Sequence, residues 1–146
     1  MGSTMIIGVG TDLCEVERIA GALGRQGDRF RTRICSDRER ALGATRVDEA
    51  LFYAGRFAAK EACAKALGTG ITERVRWRHI EVLAGRNGEP VLQLSEGALR
   101  RARRLAGGHE VRAHVSITHD GPFAMAFVVL EAGLAAGSAS VKKGNG

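Results

Sequence analysis

An α+β fold is predicted by three features of this 146-residue sequence. Two stretches, "HIEVLAGRNGEPVLQLS" and "RAHVSITHDGPFAMAFVVLE", place apolar residues on both sides of a turn, the pattern of a β-hairpin. Other stretches space apolar or small residues as helices do. The elements mix without regular β-α-β alternation, which argues against a parallel sheet. No repeat of about 20–50 residues stands out, and the length suits one domain with a real core.

Taken in order, "TMIIGVGTDL" is apolar and β-branched, then meets Thr-Asp. It predicts a strand over about 5–11 with Asp12 at its C-terminal end. In "CEVERIAGALGR", Val16, Ile19, Ala20 and Leu23 follow helical spacing, and Gly24 is the expected stop. Residues 25–46 hold seven arginines against Asp28, Asp37 and Glu39. Within them "CSDRERALG" predicts a short helix, Ser36 at its N-cap and Glu39 at the third helical position. "GRFAAKEACAKALGTG" belongs to a helix over about 48–67 that ends at Gly68. The first hairpin turns at Asn87-Gly88, with Ile80 and Val82 facing Val91, Leu92 and Leu94. "SEGALRRARRLAG" is an amphipathic helix with Ser95 as N-cap and a basic outer face. The second hairpin turns at Asp120-Gly121-Pro122. This places one domain over 5–131, with 1–4 and 132–146 as flexible termini or tag remnants.

Composition narrows the function classes. The chain is 45% hydrophobic but has no apolar run of about 18 residues, so no transmembrane helix is expected. No secretory leader is recognisable at the start. Cys14, Cys35 and Cys63 are odd in number and make no C-x-x-C, which disfavours a disulfide framework or thiolate zinc site. Buried thiols in a reducing cytoplasm are expected. The net charge of +6 favours an anionic partner: nucleic acid, an acidic protein or a phosphorylated small molecule.

Three segments can carry chemistry. Asp12 follows a strand and precedes a helix, where it either caps that helix or projects into a site. On the long helix, Glu61 and Lys65 are four apart and share a face with Phe57, while Arg56 and Lys60 pair on an adjacent face. As surface ion pairs these would be worth only about 0.3–0.5 kcal/mol. The alanines around them, however, let other backbone approach closely, and a charged face there is costly unless something engages it. Gly68-Thr69-Gly70 adds backbone N–H groups suited to a phosphate. In "HVSITHDG", strand alternation sets Val115 and Ile117 against His114, Ser116 and Thr118, with His119 and Asp120 at the turn. The spacing puts His114 and His119 on opposite faces, against a zinc pair, and Ser116 lacks a nucleophile elbow. His114 also reads as a satisfied, partly buried histidine. Together, Asp12 and Glu61 suit a hard cation such as Mg²⁺, which takes one or two carboxylates plus substrate phosphates.

These motifs resemble the bacterial holo-acyl-carrier-protein synthases, the small single-domain 4′-phosphopantetheinyl transferases. The likeness rests on "IIGVGTDLCEVERI", "GRFAAKEACAKALGTGI", "IEV" followed by "NGEP", and "HVSITHDGPFAMAFVVLE", in family order, over about 5–131. It implies an antiparallel sheet packed with helices and a homotrimer with active sites at subunit interfaces. It implies Mg²⁺ on Asp12 and Glu61, Glu61 also being a candidate to activate the attacking hydroxyl. It implies Lys65 near the coenzyme A phosphates, with Arg56, Lys60, Gly68, Ser116, Thr118 and His119 also binding coenzyme A. Arg18, Arg25 and Arg29 would form a first-helix basic face for an acidic acyl carrier protein. His79 stands where relatives often have Asp, and the role of Asp120 is open.

The activity expected is transfer of 4′-phosphopantetheine from coenzyme A to a carrier-protein serine. A nucleic-acid-binding module is the alternative that the charge allows, but only 5% of residues are aromatic and no reader motif appears. A Mg²⁺-dependent diphosphate hydrolase would explain the carboxylates but not the basic helix.

Overall fold

The computed structural model describes residues 3–134. The chain runs β1 (Ser3–Glu15), α1 (Val16–Gln26), α2 (Asp28–Ile34), α3 (Asp37–Gly43) and α4 (Glu49–Ala66). A 3₁₀ turn at Trp77–His79 leads to β2 (Ile80–Ala84) and β3 (Pro90–Leu94), then α5 (Glu96–Leu105), β4 (Val111–Asp120) and β5 (Phe123–Leu134). An antiparallel sheet has the order β1-β5-β4, and β2 and β3 form a separate hairpin. The α+β class is as expected.

Several boundaries differ from the expectation, each for a physical reason. Thr11-Asp12 does not end β1, because pairing with β5 continues to Glu15 opposite Phe123. Ladder pairing here overrides local turn propensity. At the other end Ser3 pairs with Leu134 and Thr4 with Gly133, so residues 3–4 and 132–134 belong to the sheet rather than to flexible tails. The rest of those tails lies outside the described residues. Gly24 stays within α1; the helix stops instead at Gly27, whose φ of 54° favours glycine and whose N–H donates to Leu23 O. Ser36 and Glu39 form the expected capping box. Ser95 precedes α5 without capping it, its hydroxyl turning to His79 O.

The alanines of α4 have a definite partner. Gly8 and Gly10 of β1 press against the backbone carbonyls of Ala66 and Ala62 so closely that a Cβ at either glycine would clash. Toward its N-terminus the same helix meets β4, where Gly55 packs on Ile117. α4 therefore crosses the sheet obliquely, from the β4 edge to the β1 edge. Buried Ala58, Ala59, Ala62 and Cys63 form the seam, with Ala124, Ala126, Val128 and Leu130 of β5 in the same core. Burying this apolar area supplies the main favourable term in folding.

Candidate active site

Gly8, Gly10, Asp12 and Cys14 alternate onto the face of β1 that meets α4. Close packing thus brings Asp12 beside the C-terminal half of the helix, and Asp12 is not the cap of α1, whose N-cap is Glu15. Lys65 Nζ lies 3.2 Å from Asp12 Oδ1 and donates to Thr11 O at 3.0 Å. Glu61, one turn back, is half-buried. Burial raises its pKa above the usual carboxylate range, the nearby Asp12 charge raises it further, and Lys65 and Arg18 oppose. Arg18 lies with its guanidinium 5.3 Å from the Phe57 ring centroid. Asp12, Glu61, Lys65 and Arg18 therefore share one electrostatic neighbourhood.

The remaining candidates gather at the other sheet edge. Arg56, Thr118 and His119 line a cavity of about 340 Å³ together with Arg46, Val47 and Phe52. Arg56 and Arg46 both sit over the Phe52 ring, at 4.3 and 5.4 Å from its centroid. Burial lowers the Arg56 pKa, and its Nε has no hydrogen-bond partner among the described residues. A buried donor left open is costly unless a ligand meets it. Arg46 was not singled out from the sequence; it is one of seven arginines in a stretch without periodicity, and only its seat on Phe52 marks it. Ser116 is exposed opposite Phe127 of β5 and does not line that cavity. His114 pairs with Glu131 at 3.0 Å, and no three His, Cys, Asp or Glu side chains gather as a metal cage among the described residues.

One expectation is corrected. Lys60 does not face a ligand: it is 0% exposed, as is Glu39, and the two meet at 2.8 Å. Lys60 also donates to the carbonyls of Trp77 and Ile80, while Glu39 accepts from Ser36 N and Val82 N. All three Lys60 donors are used. This pair locks α3, α4 and β2 together, so Lys60 is removed from the coenzyme A set.

The basic docking residues also divide. Arg18 and Arg25 are exposed seven apart on α1 and share a face. Arg29 lies on α2, beyond the Gly27 break, rather than on the first helix. Gly68 has a φ of 80° and closes α4, with the Arg101 guanidinium against it. All three cysteines are free and buried, as expected, and burial drives their thiols to about 11 or 12.

The donor set fits a hard divalent cation. Two carboxylates lie close enough for Asp12 to raise Glu61, in a partly dry site, which leaves negative charge incompletely met by Lys65. Magnesium needs no more protein than this when phosphates and water complete its shell.

Comparison with known proteins gives the fold a family. The 4′-phosphopantetheinyl transferase superfamily profile matches residues 8–128. A holo-[acyl-carrier-protein] synthase of Methylobacterium radiotolerans is 53% identical over 129 residues, covering 88% of this chain and 95% of the relative. The crystal structure of the holo-[acyl-carrier-protein] synthase of Neisseria meningitidis superposes with a TM-score of 0.76 at 33% identity, covering 86% of this chain and 98% of that one. The Bacillus anthracis synthase, solved in complex with CoA (3′,5′-ADP), gives 0.71 at 39% identity over 88% and 98% of the two chains. The chain belongs to the 4′-phosphopantetheinyl transferase superfamily.

Proposed function

We propose that this protein transfers 4′-phosphopantetheine from coenzyme A to a serine of an apo acyl carrier protein, releasing adenosine 3′,5′-bisphosphate. The observation that carries the reading is the convergence of Asp12, Glu61 and Lys65 where α4 crosses β1, on this family's fold. Asp12 and Glu61 would hold Mg²⁺, which when bound offsets charge on the diphosphate. Lys65, exposed at the helix end, turns its ammonium from Asp12 to the diphosphate oxygens as they gain charge. The serine oxygen attacks the pantetheine-side phosphorus, and the bond from that phosphorus to the bisphosphate oxygen breaks. Glu61, its pKa raised, is suited to take the serine proton directly or through water.

Arg46, Arg56 and His119 suit the nucleotide phosphates, yet they lie at the β4 edge while the carboxylates lie at the β1 edge. A trimer reconciles the two, with coenzyme A spanning one subunit's β1 edge and a neighbour's β4 edge. The outer sheet face supports such an assembly. Val9, Leu13, Phe123, Met125 and Phe127 are exposed there, and their strands bring them side by side. Phe127→Asp should give a monomer by light scattering and lose transfer; a trimer that survives it would place the interface elsewhere. The exposed arginines of α1 would steer the acidic carrier. Buried free thiols suit a reducing cytoplasm.

The test is intact-mass spectrometry of an apo carrier protein with enzyme, coenzyme A and Mg²⁺, with EDTA as control. A metal-dependent gain of one phosphopantetheine is expected. Coenzyme A cleavage without any carrier, and no gain on the carrier, would mark a hydrolase instead.

A further inference from the structure

A second, larger cavity of about 670 Å³ contains none of Asp12, Glu61 and Lys65 and shares no lining residue with the Arg46–Arg56 cavity. One wall is the segment after α4, with Arg74 and Arg76; the other is α5, with Arg100, Arg101 and Arg104; His79 lies between. Gly97 fixes the two walls together, because a Cβ there would strike Arg74 O.

Five arginines thus line one hollow, and Glu73 is the one acidic residue in its lining. None of the five has a carboxylate within ion-pair distance among the described residues, whereas Arg31, Arg38, Arg40 and Arg78 each do. Two are held by the backbone: Arg76 Nε donates to Glu73 O and Arg101 Nε to Leu67 O, both at 2.9 Å. Each keeps its terminal nitrogens for another acceptor. His79 Nδ1 accepts the Arg76 N–H at 3.1 Å, which leaves Nε2 to carry the proton of the neutral ring. Burial lowers the His79 pKa, Glu96 opposes, and Arg76 and Arg100 lower it further.

We propose that this cavity is a second anion site, for a small ligand bearing two or more phosphate groups. Cations on two facing walls outnumber what one carboxylate or monophosphate can engage. Guanidinium forks match phosphate oxygens in pairs. The lining holds no Phe, Tyr or Trp ring on which a nucleic-acid base would stack. The site goes beyond the transfer reaction and does not depend on it.

The histidines provide a test on the intact protein. His79 reports this cavity, His119 reports the Arg46–Arg56 cavity, and His109 and His114 serve as controls. Inorganic triphosphate is titrated into histidine-labelled protein and the ring resonances are followed. Saturable movement of His79, at a concentration different from any movement of His119, is expected. Arg100→Ser with Arg104→Ser should weaken the His79 response by about tenfold or more, while Arg100→Lys with Arg104→Lys keeps most of it. Unmoved His109 and His114 resonances show that each variant is folded. Movement of His119 alone, joint movement of both with one affinity, or a His79 response unchanged in the serine variant would overturn the proposal.

Discussion

Lys60 and Lys65 sit five residues apart on one helix, and each lies beside a carboxylate from another element, yet their surroundings are opposite. Lys60 and Glu39 are fully buried; all three Lys60 donors are used on Glu39, Trp77 O and Ile80 O, and both Glu39 oxygens accept, from Lys60, Ser36 N and Val82 N. Lys65 and Asp12 meet at a longer 3.2 Å, with Lys65 exposed, and the carboxylate of the half-buried Glu61 beside them has no hydrogen bond among the described residues. A satisfied buried pair has nothing left to offer a ligand. An unsatisfied, partly dry one does.

The largest expected effect breaks the unsatisfied group. Glu61→Gln keeps the shape but removes a charge that the proposed reaction needs twice, for the cation and for the serine proton. Its kcat/KM in carrier modification should fall by about 10²–10⁴-fold. Full activity with Mg²⁺ would remove Glu61 from the chemistry.

Next comes the satisfied group. Lys60→Met leaves Glu39 charged and buried, which should cost about 3–5 kcal/mol in urea unfolding at fixed protomer concentration. The KM for coenzyme A of the folded fraction should stay unchanged. A raised KM with intact stability would return Lys60 to the substrate site.

The sequence made the fold largely legible because its signals are local: both hairpins, the Ser36 capping box and the long helix lie where spacing and turn residues put them. Asp12 and Glu61 could be grouped from the sequence by their chemistry as carboxylates for a hard cation, but no local rule links residues about fifty apart, so their meeting beside Lys65 took the fold to show. Lys60 was placed in the coenzyme A set by the resemblance, and nothing local in the sequence opposed it. Helical periodicity sets it beside Arg56 but says nothing of α3, which covers it. The reach of β1 to Glu15 was hidden because a strand's end depends on its partner, here β5. Gly24 and Gly27 look equally good as stops; only Gly27 takes the positive φ that needs glycine.

A smaller effect concerns docking. Arg18→Glu should raise the KM for carrier protein by about tenfold, mostly through association rate, and the difference should shrink with salt. The KM for coenzyme A should barely move. Equal losses for both substrates would mean that Arg18, which lies near enough to Glu61 to lower its pKa, acts in the site rather than on the carrier.

The smallest effect sharpens the comparison best, because it opposes the two glutamates in one measurement. The fold raises the Glu61 pKa, chiefly by burial, so the ionised carboxylate costs stability at any pH above that raised value. As pH falls through the folded pKa toward the unfolded one, the proton is taken up and the cost disappears. In EDTA at neutral pH, Glu61→Gln should therefore be slightly more stable than the parent, and the gap should close once the pH drops below the ordinary carboxylate range. Glu39→Gln should do the reverse at neutral pH, since it strands the buried Lys60 charge. Adding Mg²⁺ should stabilise the parent and leave Glu61→Gln nearly unmoved, because binding to the folded state alone raises Tm. If the two glutamine variants shift Tm in the same direction in EDTA, the division of α4 into a structural and a functional charge pair is wrong.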